Sequence, residues 1–325
     1  MKPKRVIRVI VFWLFLGVLL SCFELGVKLG VRNSTYAQYA KVNIIADHKA
    51  KPQIAIFGSS VGEVGVNARM INDSLHTPAY NFSIDGTRFQ QYKGLINELN
   101  EYDDSCKLVI FAEAFFALSP VNQLTEVDRY IAHVDNDNIY QSLYTIQPGL
   151  VWKLRHIPFY TFVAINHTYF KASVEGLTNL KNRNQFYDPY LGYTPRNITW
   201  QADMDSLNKQ GKLLEVVVDS NILKGYTEVV HSIQKKGRKV LIIIPPIFKD
   251  GLQLIHNLDL QRAAFKSLEG NGVSFIDYSN CVLSNDKKYF YNNTHLNNVG
   301  ADAFTQILLG DVQKIIAGLP VPVWH

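Results

Sequence analysis

Ser60 and His295 are the residues of this chain best suited to do chemistry together. A serine hydroxyl is a poor nucleophile until a neighbouring base takes its proton, and histidine titrates near enough to neutrality to serve. Each stands in a distinctive local context. Ser60 closes the run Phe57-Gly58-Ser59-Ser60, and His295 lies within Tyr291-Asn292-Asn293-Thr294-His295-Leu296-Asn297. Two further blocks follow apolar runs, Asp85-Gly86 and Ala112-Glu113-Ala114. Taken singly, each block has an ordinary reading as a loop, a turn glycine, a structural histidine or a solvated carboxylate. Their shared placement is the informative feature.

Apolar periodicity supplies the elements that would position them. Short buried-strand patterns occur at 53–57, 79–82, 108–111, 240–244 and 273–276. Between them, helical spacing is expected at about 66–75, 216–234, 258–268 and 299–316. Tyr92, Leu95, Ile96 and Leu99 share one helical face. Strands alternating with helices imply an α/β three-layer sandwich around a mostly parallel sheet. In such sheets ligands bind beyond the carboxyl ends of the strands, where Ser60, Gly86 and Glu113 all fall. The stretch 120–213, rich in Tyr, Asn and Trp, breaks the alternation and reads as an insertion. Its aromatics (Tyr140, Tyr144, Trp152, Tyr160, Tyr187, Tyr190, Tyr193) suit either packing or a sugar platform.

In this order the blocks resemble the SGNH (GDSL-like) serine hydrolase superfamily, whose sheet is flavodoxin-like. Gly58-Ser59-Ser60 takes the place of its first block, Gly86 that of its second, and Asn292-Asn293-Thr294-His295 that of its last. With an N-terminal membrane segment and an insertion, the chain is similar to cell-envelope O-acylation proteins, those of teichoic acid D-alanylation and alginate O-acetylation. The resemblance implies acyl transfer through a serine ester, as an esterase or an O-acyltransferase acting on acylated envelope carbohydrate. Ser60 would be the nucleophile, His295 the base and Asn292 its orienting partner, with Ser60 and Gly86 N–H groups meeting the oxyanion. No metal or organic cofactor is implied. Two positions depart from the family: Asn292 replaces the usual aspartate, with Asp277 as an alternative partner, and Ala114 stands where an oxyanion asparagine is usual. A silent module that binds polysaccharide or partners a membrane-bound O-acyltransferase is the other reading this leaves.

The remaining residues bound the setting. From Val6 to about Val31 the chain is apolar enough to span a membrane, with a compact apolar stretch from Val9 to Phe23 that Lys2, Lys4, Arg5 and Arg8 precede. The positive-inside rule places this end in the cytoplasm and the main domain outside. Leu19-Leu20-Ser21-Cys22 offers a lipoprotein site at Cys22 as the alternative. The expected layout is an anchor at 1–32, a polar linker at 33–51, and one domain at 52–318 carrying the insertion. With 47% hydrophobic and 19% charged residues, the chain can bury a large core. The net charge of +5 is concentrated near the start, which discounts a nucleic-acid face. Cys22, Cys106 and Cys281 show no zinc spacing, and a Cys106–Cys281 bridge is compatible with the strand order.

Overall fold

The computed structural model describes residues 3–178, 188–201 and 213–322. Five strands form one parallel sheet: β1 (Ile54–Gly58), β2 (Ala79–Asn81), β3 (Leu108–Ala112), β5 (Lys239–Ile244) and β7 (Val273–Asp277), in the order β2-β1-β3-β5-β7. Two-residue strands β4 (Leu214–Glu215) and β6 (Ile255–His256) pair separately. Because side chains alternate along a strand, each run feeds both faces. Ala55, Phe57, Val109, Phe111, Ile242 and Phe275 enter one core layer. Ile54, Ile56, Leu108, Ile110, Leu241 and Ile276 enter the other. Burial on both sides is why the strands read as unbroken apolar runs.

Helices cover both layers. On the first side lie α5 (Phe89–Tyr102), α10 (Ser220–Lys235) and α12 (Leu258–Lys266), through Tyr92, Leu95, Tyr226, Val229 and Phe265. On the second lie α4 (Ala68–Leu75) and α13 (Asn298–Ala317), through Ile71, Phe304, Leu308 and Val312. These are the helices the periodicity predicts, displaced by no more than a few residues. Strand order reverses between β1 and β3, so a crevice opens at their carboxyl ends.

The segment before the sheet departs from expectation in part. Helix α1 (Pro3–Arg32) is long and apolar enough to cross a membrane, and the other described residues leave its most apolar stretch uncovered; an anchor and a signal sequence share that form. Its last turns are docked: Val27 and Val31 are buried against Tyr169 and Ala172 of α9 (His167–Thr178). The approach is backbone to backbone, since a Cβ on Gly176 would run into the carbonyl oxygen of Gly30. Residues 33–51, expected as a polar linker, instead carry α2 (Ala37–Ala46), with Tyr39, Val42 and Ile45 fully buried. Its apolar residues lie 3 apart, a pattern too short to separate from linker composition in sequence.

The insertion adds short helices α6 (Asp137–Tyr144), α7 (Pro148–His156) and α8 (Thr161–Ala164) before α9. Its aromatics divide: Tyr140 and Tyr193 are buried, whereas Tyr144, Trp152 and Tyr190 are exposed. Tyr187 lies outside the described residues.

Candidate active site

Ser60 opens α3 (Ser60–Gly65) directly after β1, on a sharp strand-to-helix turn with Ser59 at the cap. Ser60 is 8% exposed, so its hydroxyl is accessible only from one side. At a helix N-terminus the first N–H groups have no intrahelical acceptor and carry the positive end of the helix dipole. The loop after β2 runs alongside: Ile84 N–H donates to the Gly58 carbonyl at 3.1 Å. Two residues later Gly86 adopts φ +71, the left-handed region glycine tolerates best. Asn81 ties the two segments together. Its amide donates to the carbonyls of Gly62 and Val66, and its oxygen accepts from Ser83 N–H.

His295 arrives from the segment before α13, and its Nε2 lies 2.8 Å from Ser60 Oγ. Its Nδ1 lies 2.9 Å from Asn292 Oδ1 and 3.0 Å from Thr294 Oγ1. The orientation of the Asn292 amide is over-determined, because its oxygen also accepts the backbone N–H groups of Thr294 at 3.1 Å and His295 at 2.9 Å. An atom accepting two N–H groups is the oxygen, so Nδ1 must donate to it. Nε2 then carries the lone pair, and Ser60 O–H donates to it. Tyr291 stacks on the imidazole with ring centroids 5.4 Å apart, which limits rotation of the ring. The array is a hydroxyl, a base in the right tautomer, and a neutral amide behind the base.

Two buried carboxyls flank the array and behave differently. Glu63, one turn beyond Ser60, accepts from Lys41 Nζ of α2 at 2.9 Å, Asp85 N–H at 2.9 Å and Thr194 Oγ1 at 3.2 Å. Burial pushes its pKa up, but the adjacent Lys41 ammonium outweighs this and holds it below the ordinary carboxylate value. Lys41 also donates to the Ser83 carbonyl at 2.6 Å, so one ion pair fastens α2, α3 and the Gly86 loop. Glu113, at the end of β3, has no such cation beside it among the described residues. Burial raises its pKa to about 7, opposed by the hydroxyl of Tyr92 at 2.7 Å. Glu113 is 1% exposed, so the solvated reading of it is corrected: α5 and α10 close over the strand end.

Ser60, His295, Glu113 and Ala114 line a cavity of about 20 Å³ with Phe115, Phe116 and Ile247. Clefts of about 570 and 600 Å³ lie elsewhere and include neither Ser60 nor His295. Chemistry rather than size marks the site.

The sequence-derived residues Ser60, His295 and Asn292 thus meet, with Gly86 on the neighbouring loop. Asp277 does not take the partner's role. Its carboxylate accepts from Arg262 Nε at 2.6 Å and Ser279 N–H at 2.7 Å, while Asn292 occupies the place beside Nδ1. Cys106 and Cys281 are both free thiols, not a bridge. Sequence reasoning missed Lys41 and Glu63. Lys41 gives no signal inside a stretch that reads as a linker, and Glu63 gives only that of a charge among apolar residues, which ordinarily marks a solvated position.

No family model and no curated protein matches the chain. Among solved structures, one from Streptococcus pneumonia, provisionally described as a platelet activating factor, aligns with a TM-score of 0.42 and 10% sequence identity. The alignment covers 96% of this chain and 100% of that one.

Proposed function

We propose that the chain is a serine esterase or O-acyltransferase of the SGNH type, tethered by α1 to the outer face of a membrane and acting on acylated envelope carbohydrate. The observation that carries this reading is the 2.8 Å contact between Ser60 Oγ and a His295 Nε2 whose tautomer is fixed from behind. His295 takes the Ser60 proton as Oγ attacks the acyl carbonyl. Backbone N–H groups of Ser60 and Gly86 receive the oxyanion. Collapse breaks the ester C–O bond, and the leaving alcohol takes the proton from His295. Water or an acceptor hydroxyl then attacks the Ser60 ester, with His295 again removing the proton.

Asn292 favours a second reading. A neutral amide orients the imidazole but cannot offset imidazolium charge, and in serine proteases the Asp-to-Asn change costs about ten-thousand-fold. On that reading the module is silent and binds polysaccharide or a membrane O-acyltransferase. Release of 4-nitrophenol from 4-nitrophenyl acetate, with and without a carbohydrate acceptor, separates the two. The enzyme reading predicts turnover abolished by Ser60→Ala; turnover indifferent to that change sinks it.

A further inference from the structure

Helix α1 is longer than a bilayer requires. Its 30 residues extend about 45 Å, against a hydrocarbon layer of about 30 Å. With Arg8 at the cytoplasmic interface, about 20 residues of helix bring the far edge of the hydrocarbon close to Val27. Within about one helical turn of that level, on its membrane side, α1 is not bare. Glu24 accepts the N–H of Phe159 at 3.0 Å and the hydroxyl of Thr161 at 2.5 Å, and Phe162 stacks on Phe23 at 5.6 Å. Phe159 holds φ +66 to make its bond, a conformation that a bulky residue adopts only when its surroundings impose it. The turn between α7 and α8 is therefore clamped to α1 where the helix must leave the bilayer.

What that turn and the end of α7 present is unusual for a water-facing surface. Ile157 is 41% exposed and Trp152 is 46% exposed. The Lys153 ammonium lies 5.5 Å from the Tyr160 ring. Trp, Tyr and Lys beside an exposed aliphatic residue are the types that settle where acyl chains meet headgroups. We propose that residues 157–160, with Trp152, rest in the headgroup layer of the leaflet from which α1 emerges. The domain then has two attachments to one bilayer and a fixed orientation on it. This rests on the reading of α1 as a membrane span.

The test uses the full-length chain in phosphatidylcholine nanodiscs. Cys22→Ser removes the one exposed thiol and leaves Cys106 and Cys281 buried. A fluorescent probe is attached through Ile157→Cys, or in separate samples through Lys153→Cys, Phe15→Cys or Val282→Cys. Quenching is then read with lipids spin-labelled at the headgroup or at mid-chain. At 157 and 153 the headgroup label quenches more than the mid-chain label; at 15 the order reverses; at 282, which is 75% exposed, neither quenches. Probes at 157 and 153 as unquenched as that at 282, with 15 quenched from mid-chain, overturn the second attachment and leave the anchor standing. A probe at 15 unquenched by either label removes the span itself, and this inference with it.

Discussion

The Ser60–His295 edge and the joint between α1 and α9 both bring distant segments together, but with opposite materials. The edge is assembled from polar side chains, each oriented by the next: Ser60 to His295, His295 to Asn292, Asn292 to two backbone amides. The joint is assembled from missing side chains, with Gly30 and Gly176 allowing two helix backbones to touch. Directional groups fix angles, which a proton transfer needs. Close backbone packing fixes position over a larger area, which the proposed tether would need. Lys41 connects the two regions, since α2 leads from the joint and its ammonium ends on Glu63 and Ser83.

Cutting that connection gives the largest expected effect. Lys41→Met strands a buried carboxylate and should cost about 3–5 kcal/mol in denaturant unfolding, with part recovered in Lys41→Met/Glu63→Leu. Because the Glu63 carboxyl is held low, its contribution is present above the ordinary carboxylate pKa and is lost as pH falls through the lowered value. Unchanged stability in Lys41→Met would mean that the pair holds nothing.

Glu113 tests the edge alone, with the opposite sign. Its carboxyl is raised from 4.5 to about 7, so its favourable contribution is complete below 4.5 and disappears as pH rises to about 7. Glu113→Gln removes that titration. Its stability relative to the parent should grow across this window by up to about 3 kcal/mol, and a pH-independent difference would contradict the assignment.

Gly176→Val tests the joint alone. Overpacking against Gly30 should cost about 1–3 kcal/mol and speed proteolysis of the insertion. Ester turnover by the surviving fold should change little, and a collapse of turnover would show that the regions are not separable. The smallest effect sharpens the edge. Asn292→Asp supplies the missing charge to a base already in the right tautomer, so turnover should rise at least about tenfold for only about 1.4 kcal/mol of added stabilisation. A fall would show that the amide itself is required.

The same contrast decides what could be read without coordinates. The meeting of Ser60, Asn292 and His295 beside the Gly86 loop was legible because each segment lies at the end of an apolar run or before a periodic helix, where topology alone assigns an edge. The five sheet strands were legible because burial on both faces leaves them apolar. The docking of α1 and the identity of α2 were not. A glycine that permits contact has the same letter as one that permits a turn, and Lys41 has the same letter as a solvated lysine. Glu113 reads as solvated for the same reason, since nothing beside it in sequence announces Tyr92 closing over it.

Every proposed step begins with the Ser60 hydroxyl activated by His295. The most direct measurement is labelling of the folded full-length chain with a serine-directed fluorophosphonate, followed by peptide mapping. A single adduct on Ser60 is expected, formed much more slowly in His295→Ala and absent in Ser60→Ala. An adduct on another serine, or labelling at an unchanged rate without His295, would contradict it.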